Sequence, residues 1–240
     1  MQSAAVVEPI NTVAPALLFS FDPREVPVIA VDDGLPAVAR AELTTTALRA
    51  RFAKPPVWTP EVRREPRISD RAPAQAAVLV PIVLRAGEPT VLLTERASQM
   101  TTHSGQVAFP GGRVDPDDAN IAAAALREAW EEVGLSAEYI EVLGTLPTYT
   151  TITSFIVTPV VALVQPGFTL ALNPHEVADA FEVPLAFLMN PANHRRHAVS
   201  DAQGKSREWY SMPYQDSDDE RFVWGATAGM LRNLYRFLVA

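Results

Sequence analysis

The sequence predicts an α/β protein, a β-sheet layered between helices, with an irregular extension in front of it. Three observations carry that expectation. From Ala76 onward, short β-branched apolar runs alternate with segments of helical spacing, as in an α/β/α sandwich. Before that point prolines recur (Pro9, Pro15, Pro23, Pro27, Pro36, Pro55, Pro56, Pro60, Pro66, Pro73) and periodicity is scarce. Apolar residues make up 48% and charged residues 20% of 240 residues, enough for a substantial core. The expected division is therefore residues 1–73 as an extension and residues 74–240 as the main domain.

Within the extension one helix is credible near Leu43–Phe52. Leu43, Leu48 and Phe52 can share a face there, and Thr44–Thr46 can cap it. Ala76–Leu84 and Thr90–Thr94 read as strands joined by the turn signal Ala86-Gly87-Glu88. Ala119–Val133 reads as a helix, with Asp117 or Asp118 as its cap and Gly134 placed for a left-handed C-terminal stop. Strands follow at Ile140–Leu146 and Phe155–Leu163, then a helix or turn near Pro184–Met189 and a strand near Arg207–Tyr214. Leu231, Leu234, Tyr235 and Leu238 give the closing segment, Gly225–Leu238, helical spacing.

Composition narrows the function classes. No apolar run approaches the roughly eighteen residues of a membrane span, and Met1–Phe21 lacks the basic start of a signal peptide. The absence of cysteine excludes disulfides, thiolate zinc sites and a cysteine nucleophile, and is compatible with a cytoplasmic protein. A net charge of −8 and no Lys/Arg run argue against nucleic acid as a partner. An acidic protein that handles a polyanion must recruit cations, which hints at a metal.

Chemistry concentrates in Arg127-Glu128-Ala129-Trp130-Glu131-Glu132-Val133-Gly134-Leu135. Glu128, Glu131 and Glu132 stand at i, i+3 and i+4 and converge on one helix face. Ala122, Ala125, Leu126, Ala129 and Val133 form the apolar stripe opposite. Clustered carboxylates repel one another unless a cation sits among them, and hard oxygen ligands suit Mg²⁺ or Mn²⁺. The plain alternative is a solvated face with a chance run of glutamates. Just upstream, Gly111-Gly112 feeds a loop of acidic residues, Asp115, Asp117 and Asp118, and a double glycine lets backbone amides approach a phosphate closely.

At this spacing the two features together resemble the Nudix box: a glycine, then a glutamate, then REUxEExGU. The loop from Gly112 to Arg127 is one residue longer than usual, and Asp118, which could equally be a helix cap, stands where the first glutamate would. Upstream, Leu92-Leu93-Thr94-Glu95-Arg96-Ala97-Ser98-Gln99-Met100 runs through His103-Ser104-Gly105-Gln106 into Phe109-Pro110-Gly111-Gly112. This resembles the segment that precedes the box in coenzyme A diphosphatases, which share the longer box with aspartate. Tyr149, Thr151, Thr153, Phe155 and Val157-Thr158-Pro159-Val160-Val161 continue the likeness, with Ser154 where a glycine is expected. So do Glu176-Val177, Phe181–Leu185 and Val223–Ala228, so the resemblance runs from Ala76 to Leu238.

The resemblance implies the Nudix fold, an α/β/α sandwich with a mixed β-sheet, and hydrolysis of coenzyme A to 3′,5′-adenosine bisphosphate and 4′-phosphopantetheine. Glu128 and Glu132 would be the principal ligands of Mg²⁺ or Mn²⁺, with Glu131 a third ligand or the base. Arg127 would orient a glutamate through a bidentate ion pair. Glu176 is the distant candidate base, or else a carboxylate at the start of a helix after Asn173-Pro174. Arg96, His103 and Gln106 would meet the substrate's phosphates, with Gly112 beside them; a salt bridge, a buried histidine and a turn amide are the structural alternatives. Tyr149 would stack on or border the nucleotide, unless it is packing. Within the family, ADP-ribose or another nucleoside diphosphate derivative is the rival substrate. NADH diphosphatases of the zinc-ribbon kind need four cysteines. A binding-only module is the rival of another class, and such domains usually lose box carboxylates. The partner expected is a small nucleotide of the coenzyme A type, with a homodimer as candidate assembly and no membrane.

Overall fold

The computed structural model describes residues 22–65, 72–97, 105–200, 206–217 and 219–240. In chain order the elements are β1 (Val28–Val31), α1 (Thr45–Ala53), β2 (Ala74–Val83), β3 (Thr90–Arg96), β4 (Val107–Ala108), β5 (Gly111–Arg113), α2 (Ile121–Val133), β6 (Ile140–Thr145), β7 (Tyr149–Thr150), β8 (Phe155–Val164), β9 (Val177–Pro184), α3 (Leu185–Leu188), β10 (Arg195–Ser200), β11 (Ser206–Asp216), β12 (Asp219–Trp224) and α4 (Gly225–Val239). Among the described residues no helix is long and apolar enough to cross a membrane.

The two longest apolar runs, β2 and β8, lie side by side in parallel, from Ala74↔Phe155 to Val83↔Val164. Side chains alternate across a strand, so each run feeds two cores. Ala76, Val80 and Ile82 with Val157, Val161 and Leu163 face the core under α4 and α1. Ala77, Leu79 and Val83 with Val160, Ala162 and Val164 face the core under α2. Antiparallel neighbours complete a mixed sheet of order β4-β3-β2-β8-β6, with β5 on β2, β7 on β8 and β9 on β3. This is the α/β/α sandwich the alternation predicts.

A second, antiparallel sheet of order β1-β10-β11-β12 was not expected beyond β11. Its strands β10 (Arg-Arg-His-Ala-Val-Ser) and β12 (Asp-Glu-Arg-Phe-Val-Trp) are rich in charge, so they lack the apolar signature of a central strand. The N-terminal segment is bound into this part of the molecule. β1 pairs with β10, and Leu43 and Leu48 are buried in the core that α4 covers. Leu48 is fully buried, so truncating it to alanine would cost about 2–5 kcal/mol.

Local stops follow the predicted chemistry with one correction. Thr44 caps α1 by accepting the Ala47 amide, and Gly134 ends α2 in the left-handed conformation at φ 66°. Neither Asp117 nor Asp118 caps α2. Asn120 does, through a 3.0 Å bond from the Ala123 amide, because Asp118 is turned back onto the Asp115 amide and Arg127. Ser154 stands at φ 69°, a region that glycine enters more easily, which accounts for the glycine expected there.

Candidate active site

Helical phase decides what each glutamate of α2 can do. Ala124, Ala125, Ala129 and Val133 are buried against the sheet, and their small size brings the helix close to it. Glu132, one position from Val133, is drawn inside and is 3% exposed. The Glu128 side chain, one turn earlier, is mostly covered, whereas that of Glu131 is half exposed. The three carboxylates thus form a gradient from core to solvent rather than an even triad.

The double glycine is required by close approach. β5 threads between β2 and the carboxylates, pairing Val78 with Gly111. A Cβ on Gly111, at φ 157°, would sit 2.4 Å from the Ala77 carbonyl oxygen, and one on Gly112 would sit 2.6 Å from a Glu128 oxygen. The Gly111 amide donates to Glu132 Oε2 at 3.0 Å. Gly112, expected beside the substrate, packs directly on Glu128, so the glycine pair cradles carboxylates before it meets any phosphate.

Arg127 holds the cluster from outside. Its Nε and Nη2 donate to the two oxygens of Asp118 at 3.0 and 2.9 Å, Nη1 donates to Glu128 and Glu131 at 2.9 Å each, and Nη2 also meets the Arg113 carbonyl. The bidentate partner is therefore Asp118 and not a glutamate. A planar fork needs both oxygens of one carboxylate on one side, which the loop aspartate offers and successive helix residues do not. Arg127 holds the Asp118 carboxyl below its ordinary range.

The inner carboxylates go the other way. Burial pushes Glu132 up to about 7; the Gly111 amide and Arg96 oppose this, and Glu128 and Glu176 add to it. Burial also raises Glu128 against the pull of Arg127, and Glu131 and Glu176 raise it further. Glu176 therefore acts on both carboxylates from outside the helix. It lies in a turn leading into β9, not at the start of a helix as the alternative reading had it. Its side chain accepts from Asn173 Nδ2 at 3.1 Å, and its carbonyl accepts the Ala97 amide. The Asn173 amide in turn donates to the Glu132 carbonyl. Asn173, which the sequence marks only by its Asn-Pro turn, thus links Glu176 to the end of α2.

The remaining candidates divide. Arg96 ends β3 and acts electrostatically on Glu132. Gln106 bonds through its carbonyl to the Arg96 amide, while its side-chain amide lies beside Gly225 at the start of α4. His103 lies outside the described residues. Tyr149 corrects the expectation of a nucleotide contact. It is 2% exposed in the α4 core, its ring packs against Gly229, and its hydroxyl donates to Glu65 at 3.1 Å. An aromatic closed off by a helix and a buried carboxylate has no face to offer a base.

Among the described residues no three acidic or imidazole side chains stand grouped so as to hold a metal ion. The chemistry of the donors nevertheless suits a hard divalent cation: the buried Glu132 and the largely covered Glu128 repel each other, Glu131 stands at the rim, and Glu176 adds negative charge.

The family model described as NUDIX domain matches residues 73–210. Among relatives, an uncharacterized Nudix hydrolase, NudL, of Enterobacter sp. (strain 638) is 46% identical over 160 residues, covering 67% of this chain and 80% of that protein. NudL of Shigella flexneri is 42% identical over 175 residues, covering 73% and 86%. Among solved structures, the Nudix hydrolase RenU of M. smegmatis is 28% identical, with a TM-score of 0.41 over 48% of this chain and 73% of that one. A family match across most of the sheet and α2, with relatives of this identity and coverage, makes the chain a member of the Nudix hydrolase family, hydrolases that act on pyrophosphate bonds.

Proposed function

We propose that this chain hydrolyses the diphosphate of coenzyme A, or of a coenzyme A derivative, with Mg²⁺ or Mn²⁺ held by Glu128, Glu132 and Glu131. The observation that supports a hydrolytic centre is the buried Glu128–Glu132 pair against Gly111-Gly112, raised in pKa and faced by Glu176. A bound divalent ion would supply charge neutralisation on the phosphoryl oxygens and a more acidic water.

This chain's own residues do the rest. Arg127 fixes Glu128 and Glu131 from the solvent side, and Arg96 brings positive charge to the inner edge of the cluster, where a phosphate oxygen would need it. Water attacks one phosphorus of the diphosphate, the bridging P–O bond breaks, and the proton of the attacking water passes to a carboxylate, with Glu131 and Glu176 as the two candidates. The products are 3′,5′-adenosine bisphosphate and 4′-phosphopantetheine. The coenzyme A assignment rests on the resemblance of the Leu92–Gly112 segment to the one that precedes the box in coenzyme A diphosphatases.

The test is a substrate panel with purified protein and Mg²⁺ or Mn²⁺, products identified by mass. A coenzyme A species should give a higher kcat/KM than ADP-ribose or NADH. Equal or better turnover of ADP-ribose would overturn the coenzyme A assignment and leave a diphosphatase of other specificity.

A further inference from the structure

The sheet β1-β10-β11-β12 holds none of the box carboxylates, yet one of its side chains reaches the strands that end at the candidate site. Arg221 of β12 lays its guanidinium over the Phe181 ring at 4.4 Å and is 15% exposed. Its Nη1 donates to Glu95 Oε2 at 3.0 Å, its Nη2 donates to Asp179 Oδ2 at 2.5 Å, and its Nε lies 3.6 Å from Asp216. Glu95 and Asp179 are direct partners across β3 and β9.

The next pair is irregular. After Glu95↔Asp179 the register jumps to Arg96↔Val177, so Ala178 is a bulged residue. The bulge reverses the phase of β9: Phe181 lies in the core under α4, whereas Val177 enters the core under α2. Immediately past it stand Arg96 and Glu176, the two charges that act on Glu132 from outside α2, tied together by the Ala97 amide on the Glu176 carbonyl. A slip of one residue here would turn the chain to the other face of the sheet. The guanidinium grips the last regular pair before that point from the opposite face.

We propose that Arg221 is a positioning residue for the diphosphatase centre: by clamping Glu95 to Asp179 it fixes the bulge that presents Arg96 and Glu176 to the α2 carboxylates. This rests on the function proposed above. Its partners are partly exposed, so the clamp adds little stability, and its effect falls on geometry.

The test compares Arg221→Gln, Arg221→Lys and Asp179→Asn with the wild type for kcat, KM and melting temperature, using coenzyme A and Mg²⁺. Arg221→Gln should lower kcat/KM roughly tenfold to a hundredfold with little change in melting. Arg221→Lys keeps the charge but not the fork and should recover only part of the loss. Because Arg221 acts through Arg96 and Glu176, the loss in the double variant Arg221→Gln/Arg96→Gln should be smaller than the product of the two single losses. Unchanged kinetics in a folded Arg221→Gln protein, or losses that multiply in the double variant, would overturn the role. Should Arg221→Gln fail to fold, Asp179→Asn carries the same expectation, and normal kinetics there count against it. If the wild type turns over none of coenzyme A, ADP-ribose and NADH, the proposed function fails. Calorimetry of ADP binding with Mg²⁺ then decides: weaker binding by Arg221→Gln upholds the clamp, and equal binding, or no binding by the wild type, overturns it.

Discussion

Arg232 and Arg127 each gather acidic side chains, one inside the core and the other on the exposed side of α2. Arg232 is 2% exposed, donates to Asp32 and Glu61 at 2.9 Å, and lies 5.0 Å from the Tyr210 ring; Arg236 adds a second cation 3.5 Å from Glu61. With Arg196 3.9 Å from Asp32, the cations around these two carboxylates at least match them in number. Burial pushes the Glu61 carboxyl up, yet hydrogen bonds from Arg232 and Tyr210 outweigh it and hold the group below its ordinary range. Around Arg127 the sum differs. Asp118, Glu128 and Glu131 share that one guanidinium, while Glu132 lies deeper on the Gly111 amide, and burial leaves both Glu128 and Glu132 raised. The results are opposite for two reasons: the Arg232 cluster has no shortage of cations whereas the α2 cluster carries surplus negative charge, and Glu132 at 3% exposure lies deeper than the Glu61 side chain at 33%. A cluster with matched charges ties segments together; a surplus of carboxylates would be relieved by a bound cation, as the proposed function requires.

Removing one surplus charge should therefore help folding and damage catalysis. Glu132→Gln keeps the size and loses the charge, and should lower kcat a hundredfold to a thousandfold, about 3–4 kcal/mol, at saturating Mg²⁺. The stability effect has the opposite sign. Burial pushes the folded Glu132 carboxyl up to about 7 from the 4.5 of an ordinary glutamate, so folding loses stability as pH rises through that window. At pH 8 without metal, Glu132→Gln should melt above the wild type, by no more than about 3 kcal/mol. Near-normal turnover would remove Glu132 from the metal site, and a lower melting temperature would remove the surplus-charge account.

The same isosteric change in the balanced cluster should do the reverse. Glu61→Gln leaves Arg232 buried with Asp32 alone, and should cost about 2–3 kcal/mol of stability. Folded Glu61→Gln protein should keep the wild-type kcat, because Glu61 touches none of the α2 carboxylates. Denaturant midpoints and kcat measured on the same sample check this. A loss of kcat with unchanged stability would show that the two clusters are not separate.

How far the sequence foretold this contrast depends on how local each signal is. α2, its αL stop at Gly134, and the runs of β2 and β8 are written in contiguous periodicity, so they were readable. The carboxylates of α2 and the glycine pair were readable for the same reason. Which carboxylate is buried was not, since Glu131 and Glu132 are adjacent and only packing against the sheet decides between them. The Arg232 cluster was invisible because its members, Asp32, Glu61, His194, Tyr210 and Arg232, lie far apart in the chain and each reads as ordinary surface charge or packing. Tyr149 failed in the opposite direction: its neighbours in the sequence suggested a binding loop, and Glu65 and Gly229, distant in the chain, enclose it.

The core cluster also makes a pH prediction that the α2 cluster does not share. His194 is fully buried, with Nε2 at 2.7 Å from the Leu188 carbonyl and Nδ1 at 3.1 Å from Arg232 Nη1. Nε2 therefore carries the proton and Nδ1 accepts. Burial, opposed by the Leu188 carbonyl, Asp32 and Glu61 and helped by Arg232, lowers its pKa to about 4 from 6.5. Below 6.5 the unfolded chain binds a proton that the folded chain refuses, so this stability is present above 6.5 and is lost as pH falls toward 4. By pH 5 the loss should be about 2 kcal/mol. Denaturant midpoints at pH 7 and pH 5 for the wild type and His194→Gln measure it. An equal acid loss in both proteins would contradict the neutral histidine.

The smallest effects should come from the rims of the two clusters. Arg236 is 41% exposed at 3.5 Å from Glu61, and Asp115 is 58% exposed at 3.8 Å from Arg127. At such exposure water screens the pair, and holding two long side chains together offsets what attraction remains. Arg236→Gln and Asp115→Asn should each change stability by less than about 1 kcal/mol, and neither should alter kcat beyond twofold or so. If Arg236→Gln were as costly as Glu61→Gln, the core cluster would depend on net charge at its edge and not on the buried guanidinium. If Asp115→Asn slowed turnover as Glu132→Gln should, any carboxylate near Arg127 would serve. Depth in the helix packing would then not be what separates Glu132 from its neighbours.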